Sequence, residues 1–585
     1  MEVSGPGSAA PRLLSTAYLL SVLGFAATVS ALALRQHLSV PYNDDWRLLD
    51  EMYRTPLGSW LLSVQNGHRI PATLLLLHLD QTLADGRMHL LVAAQLVCAW
   101  ITAGVFGLAL RGPGGSPAVL RRVLLGFGTF ALFWSQSAYN FQWGVNHGSV
   151  WTPMWILLAL SALARARDRI QEPAGARLVL LAAGAAVVAT FGHGMGFLIW
   201  GALLAMAFAG RMPWRVSAGL GAGALASIGL YSIGLFGSKS VPIGSDLLLD
   251  FLVSHPGDLI RFVCAFAGAP IGWTLHGLRL VGADGMLTLS TAVGALAAAL
   301  ACAYGVLVWR RGAALPGLSL AGFGLMVFVL GGGLIVGLTR LAIFGASQAV
   351  ERRFLSWSTL FWIGGAWALG SLAAGPGARS ALAVSLAALS LVMLPARFEA
   401  HAYGVARDGP VQDVALALVL GAPPDELLLG VTRQPSEVVA RVAQRLSRDR
   451  RSPFDDERSD LAGAAFAERF VPARAELCGG DSELGWRARG AQLGTVRGRI
   501  DRDGIAPAYF VLVDSQGVVR GLGEERPAPA AAAPGRHWAG VVAGFAPTER
   551  YAAWAVLRDG RSACPLGEIG GAPKDPAPRG GRPLV

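Results

Sequence analysis

The run Tyr42-Asn43-Asp44-Asp45-Trp46 sets two adjacent carboxylates directly behind a membrane-length apolar stretch, Leu13 to Leu34. Carboxylates are expensive in lipid, so a pair kept at a membrane mouth marks a candidate site. A carboxylate within hydrogen-bond reach of a hydroxyl acts as a general base. The plainer alternative is a solvated loop end or the start of an amphipathic surface helix. Polar chemistry continues through the same loop with Asp50, Glu51 and Asn66-Gly67-His68-Arg69. Two further groups stand out: Tyr139-Asn140-Phe141-Gln142-Trp143 with Asn146-His147, and the arginines Arg340, Arg352 and Arg353.

The elements that must position these residues are membrane helices. At 53% hydrophobic and 15% charged over 585 residues, the chain cannot cover a soluble globular surface. Its net charge of +11 is almost wholly arginine, with lysine only at Lys239 and Lys574, and fits membrane orientation better than nucleic-acid binding. No aromatic-rich basic surface argues for RNA or DNA. The first run is too long for a cleaved signal and reads as a retained helix. Further spans are expected near 89–109, 123–139, 149–164, 178–191, 197–210, 216–236, 286–308, 316–338, 354–373 and 380–395, about eleven in all.

Under that count the loops holding Arg111/Arg121/Arg122, Arg165/Arg167/Arg169/Arg177, Arg211/Arg215, Arg310/Arg311 and Arg379 share one side, which the positive-inside rule makes cytoplasmic. The N-terminus is then cytoplasmic, while the long loop 35–88 and everything after Pro395 lie outside. Residues 256–274, interrupted by Arg261 and Pro270, are expected to be an external or re-entrant segment against protein. Residues 70–79, with four consecutive leucines from Leu74 to Leu77, suit an interfacial helix.

Four regions result: a transmembrane domain 1–396 containing the first external loop 35–88, a helical linker 397–470, a β-rich domain 471–570 and a disordered tail 571–585. In the linker, Pro435-Ser436-Glu437 before Val438, Val439, Val442 and Leu446 reads as a capped amphipathic helix. Short runs such as Ala508 to Val513, turned by Asp514-Ser515-Gln516-Gly517, suit a small β-sandwich, with the Pro/Ala stretch 526–534 as a loop within it. Cys478 and Cys564 bracket that domain and suggest a disulfide, which an oxidising exterior permits. No zinc spacing occurs. Gly192-His193-Gly194-Met195-Gly196 follows no strand, so it reads as a tight external turn rather than a phosphate loop, with His193 structural.

An acidic first external loop, interfacial helices, many further spans and an external soluble domain resemble the GT-C class of membrane glycosyltransferases, most closely the bacterial members that use polyprenyl-phosphate-linked sugars. The resemblance covers roughly residues 13–395 and is architectural. Glu351-Arg352-Arg353-Phe354, followed by Leu360-Phe361-Trp362-Ile363-Gly364, is similar to the arginine-aromatic start of a late span in such proteins. The resemblance implies a catalytic role for Asp44 and, second to it, Asp45.

Glycosyl transfer needs a base for the acceptor hydroxyl, which Asp44 would supply. Asp45 would orient the acceptor, bind a metal or face away, since neighbouring residues do not share a helix face. The lipid-phosphate leaving group develops negative charge, for which Arg340, Arg352 and Arg353 are the candidate partners, with snorkelling to lipid phosphates as the alternative. His68 would contact acceptor or substrate and Arg69 would be a second phosphate clamp, with interfacial anchoring as the alternative for both. Gln142, Trp143 and His147 suit sugar stacking and hydroxyl recognition, although an aromatic belt explains such residues too. Without an Asp-x-Asp pattern, Asp44 and Asp45 supply only part of an oxygen ligand set, so metal-independent chemistry with no cofactor is expected.

The expected activity is sugar transfer from a polyprenyl-phosphate donor to an envelope glycan, lipid or protein outside a bacterial inner membrane, the bacterial origin resting on the arginine and alanine bias. A transporter or flippase of a lipid-linked or anionic precursor is the alternative, and a non-enzymatic envelope scaffold a third. The paired broken helices that favour transport are not evident.

Overall fold

The apolar runs fold as helices and the β-patterned C-terminus as one sheet. The computed structural model describes residues 9–111, 117–135, 138–234, 252–422, 430–473, 478, 482–489, 493–500, 507–526, 535–546 and 548–570. The expected tail 571–585 and nearly all of the Pro/Ala stretch lie outside these residues. The chain divides into two compact units, one of residues 1–37, 56–77 and 90–404, the other of 38–55, 78–89 and 405–585.

In the first unit, nine helices among the described residues are long and apolar enough to cross a membrane. Seven of the expected spans coincide with Ala9–Arg35, His89–Ala109, Ala118–Ser135, Gly148–Asp168, Pro173–Thr190, Ala283–Arg311 and Gly317–Phe344. An eighth opens the long Pro376–Val419 helix. Residues 256–274, expected as an external or re-entrant segment against protein, form one continuous helix, Pro256–Gly277, with Pro270 inside it, and it is long and apolar enough to be among the nine. It lies closely against protein, as expected. Gly268 and Gly272 abut Ser290 on the Ala283–Arg311 helix, and Gly294 abuts the Cys264 carbonyl. Small residues of this kind let helix backbones approach.

Three expected spans fall outside the nine. Trp214–Ser232 carries Arg215 and several glycines, Leu355–Leu372 is diluted by Trp, Ser and Gly, and Gly196–Ala209 is short. Leu355–Leu372 is nonetheless central. Gly322 and Gly364 face each other so closely that a Cβ on either would stand 2.6 to 2.7 Å from the other's carbonyl oxygen.

The helix ends sort by charge. Gly312 meets the Ala209 carbonyl and Arg211, Gly317 meets the Ala164 carbonyl and Asp168, and Gly210 meets Arg167 and Leu320. The arginine-rich turns at 165–169, 211–215 and 310–311 therefore share one end of the unit.

The second unit joins two pieces of the first loop to the C-terminal chain, so the 35–88 loop does not belong wholly to the transmembrane domain as expected. The Pro376–Val419 helix also runs straight through the expected boundary at 396. Helix Asp45–Arg54 packs on Ser436–Arg448, whose Val439, Val442, Ala443 and Leu446 form one buried stripe. That helix is amphipathic as expected, but Pro435 occupies the N-cap and no side-chain cap bond forms. Arg441 grips Asp50 with two hydrogen bonds of 3.1 and 2.9 Å, and Arg445 lies over the Tyr53 ring at 5.4 Å. The Arg441 hydrogen bonds, more than any other influence, hold the Asp50 carboxyl below its ordinary pKa.

The expected β-sandwich is instead one continuous sheet. Strands β1 (Val471–Pro472), β2 (Ser482–Arg489), β3 (Leu493–Ile500), β4 (Pro507–Val513), β5 (Val519–Arg526), β6 (Arg536–Ala543), β7 (Tyr551–Leu557) and β8 (Ser562–Ile569) run in the order β1-β8-β7-β4-β5-β6-β3-β2. All neighbours are antiparallel except β1 with β8. One core holds Val496, Phe510, Trp538, Tyr551 and Cys564, and β2 comes back against β8. The sheet is therefore curled around its own interior. A disulfide from Cys478, just before β2, to Cys564 in β8 ties the two ends, with the Cα atoms 5.2 Å apart.

Candidate functional site

The histidines and arginines singled out in the membrane half gather at the end of the first unit opposite its arginine-rich turns. The helix polarity makes this plain. His147 precedes Gly148–Asp168, whose other end meets Gly317; Arg352 and Arg353 precede Leu355–Leu372; Arg340 lies in the last turns of Gly317–Phe344; and His193 follows Pro173–Thr190.

His68 and His193 stack with ring centroids 4.9 Å apart, and the His193 ring centre also lies 5.0 Å from that of Trp357. Burial, reinforced by the Arg340 charge, pushes the His68 pKa down to about 4. Burial also pushes His193 well below its ordinary value, followed by the influence of His68, Arg340 and Arg353. Both rings are therefore neutral at pH 7. His193 Nδ1 accepts the Met195 N–H at 3.2 Å, which leaves its proton on Nε2. His147 Nδ1 lies 3.5 Å from Thr73 Oγ1, and its ring is 5.3 Å from Trp151. His68 Nδ1, His147 Nε2 and Thr152 Oγ1 are buried without a hydrogen-bond partner among the described residues. Such atoms carry a desolvation cost of about 1 to 3 kcal/mol each, which a polar ligand would offset.

The arginines are held by aromatic faces. Arg340 lies 5.7 Å from the centre of the Phe354 ring and Arg353 5.1 Å from the same ring, while Arg352 lies 4.4 Å over Trp273. Arg353 also pairs with Glu351 and donates to Gln348 Oε1 at 2.8 Å. Stacking leaves the guanidinium edges as the directions for further hydrogen bonds.

Other expected residues sit differently. Arg69 directs Nε to the Tyr231 carbonyl at 2.9 Å and its two terminal nitrogens to the Leu62 and Ile233 carbonyls. Its Nε and one terminal nitrogen thus meet the C-terminal end of the Trp214–Ser232 helix, so a phosphate clamp at this position would have to share those donors. Gln142 and Trp143 are buried rather than displayed on an open loop, and Gln95 Nε2 bridges the Trp143 and Gly144 carbonyls at 3.0 and 2.7 Å. Asp44 and Asp45 belong to the second unit. Asp45 is buried and accepts the Tyr42 N–H at 2.9 Å, whereas half-buried Asp44 takes the N-cap of Asp45–Arg54 without a side-chain cap bond.

No protein-family model, curated protein or solved structure matches this chain. The site is therefore read from its own chemistry. Among the described residues no three His, Cys, Asp or Glu side chains converge to hold a metal ion. Two neutral imidazoles, indole and phenyl faces, and fixed guanidinium groups suit a ligand that joins hydroxyl groups to an anion. Sequence reading took His193 as structural and passed over Trp357. The available signal was the glycine spacing around His193: a Cβ on Gly192 would strike Thr152 and Trp151, and one on Gly194 would strike His68.

Proposed function

We propose that this membrane protein is a glycosyltransferase that moves a sugar from a polyprenyl-phosphate carrier to an envelope acceptor outside a bacterial inner membrane. The observation that carries the reading is the grouping of Arg340 and Arg353 with the neutral pair His68 and His193, at the end of the first unit away from its arginine-rich turns. The positive-inside rule supports a cytoplasmic position for those turns, which would put the histidine end on the outer side.

In this reading Arg340, Arg352 and Arg353 meet the carrier phosphate and stabilise the charge that develops as the glycosidic bond breaks. His68, His147 and His193 exchange hydrogen bonds with sugar hydroxyls. Asp44 is the proposed base, with Asp45, whose carboxylate accepts the Tyr42 N–H, second to it.

The test is sugar release and transfer by full-length protein in lipid nanodiscs, offered polyprenyl-phosphate sugars with envelope glycans and lipids. Asp44→Asn should fold normally and lose turnover by at least about a hundredfold, the usual scale of general-base catalysis. Turnover retained in a folded Asp44→Asn protein removes that residue from the mechanism. Donor movement across a vesicle bilayer without bond cleavage would favour transport instead.

A further inference from the structure

We infer that the second unit carries a pocket for a neutral sugar, separate from the histidine–arginine site. A cavity of about 290 Å³ lies wholly within this unit. Small-ligand clefts typically span about 300–1,000 Å³, so this one suits about one or two sugar rings.

Its walls carry two kinds of chemistry. Gln412, Ala415, Leu416 and Val419 all line it and recur at helical spacing, so they form one face of the Pro376–Val419 helix. Val40 extends the apolar part. A pyranose presents a C–H face to such a patch, and the Gln412 amide at its edge can both donate to and accept from a hydroxyl.

Ser39, His89, Ser452 and Pro453 also line it, and charged pairs make up the rest. Arg87 pairs with Asp455, and Arg458 pairs with Asp456 at 2.6 Å and Glu524 at 3.4 Å. Every one of these charges already faces its opposite. A phosphate would meet three carboxylates against two guanidinium groups, an ammonium would have to break a pair, and these carboxylates are not gathered as a metal site. A neutral hydroxyl breaks nothing. Guanidinium has five N–H donors and carboxylate about four lone-pair sites, so each pair retains capacity for a group that donates and accepts at once. Sugar hydroxyls do both, and fixed charged partners strengthen such bonds.

The inference stands apart from the transfer reading, because binding is measured with no donor present. Full-length protein in nanodiscs is titrated with methyl glucoside, galactoside and mannoside, and with maltose and lactose, using saturation-transfer NMR and calorimetry. At least one should bind saturably. Gln412→Trp, which fills the cavity from a half-buried position, should weaken that binding at least about tenfold without lowering the unfolding midpoint. The milder Gln412→Ala should weaken it measurably in protein that melts as wild type does. Absence of saturable binding across the sugars overturns the inference, as does wild-type affinity in both variants. Competition by inorganic phosphate at the same affinity would overturn it too, by making the pocket an ion site.

Discussion

Acidification should loosen the first unit through His68. Folding lowers this ring's pKa from 6.5 to about 4, chiefly by burial and then by the Arg340 charge. The native state therefore keeps His68 neutral at pH values where the unfolded chain takes up a proton. For a pKa lowered by folding, the stabilisation is complete above about pH 6.5, falls by about 1.4 kcal/mol per pH unit below it, and is gone once the pH passes the folded value. Between 6.5 and 4 the loss from this one ring is about 3 kcal/mol, a large share of an ordinary protein's 5–15 kcal/mol. His193 adds to the loss, being depressed by burial and by the same neighbours. The assay is the thermal unfolding midpoint of full-length protein in nanodiscs between pH 8 and pH 4.5, for wild type and His68→Gln. Wild type should lose stability steeply below pH 6.5, and the variant, with its non-titrating amide, should show a visibly shallower fall. Equal slopes in the two proteins would show that the protons enter elsewhere and would refute the assignment.

Arg353→Ala removes a guanidinium that meets Glu351, Gln348 and Phe354, and should raise KM for a polyprenyl-phosphate sugar at least about tenfold while also lowering kcat. Steady-state kinetics with unchanged KM and kcat would remove Arg353 from donor binding. Cys478→Ala opens a loop with a sequence separation of 86, for which chain entropy sets a stabilisation of up to about 4 to 5 kcal/mol. The measurement is protease resistance of the C-terminal sheet in the full-length protein, where reduction should reproduce the variant. Resistance unchanged by either treatment would mean that the bridge contributes nothing to the sheet's stability.

Much of the first unit was legible because lipid leaves few options: a run of about 20 apolar residues with its backbone bonds satisfied must be a helix. The continuity of Pro256–Gly277 was not legible because Arg261 and Pro270 are local warnings, whereas its close fit through Gly268 and Gly272 against the Ala283–Arg311 helix is a tertiary fact. The sheet failed in a similar way. Alternation shows strands and turns, but whether they form two layers or one curled layer depends on how β2 meets β8, which no local pattern encodes.

The candidate site was legible by residue type and much less by partner. Arg340, Arg352 and Arg353 stood out because guanidinium groups are conspicuous at the end of an apolar helix, and in the fold they rest on aromatic faces. Arg69 stood out for the same reason and meets backbone carbonyls, because the partial negative charge of a helix C-terminus also attracts a cation. His193 read as structural because its glycines look like a turn signal, and its neighbours His68 and Trp357 appear only in the fold. Charge and burial thus carry different information. A charged residue can be located from sequence, but whether its charge is free for a ligand depends on which carbonyls, carboxylates and rings the fold brings within reach. Arg353 meets a carboxylate, an amide oxygen and a ring, whereas Arg69 meets three backbone carbonyls, so the two make a test of it: Arg353→Ala should act mainly on donor kinetics, and Arg69→Ala mainly on the unfolding midpoint.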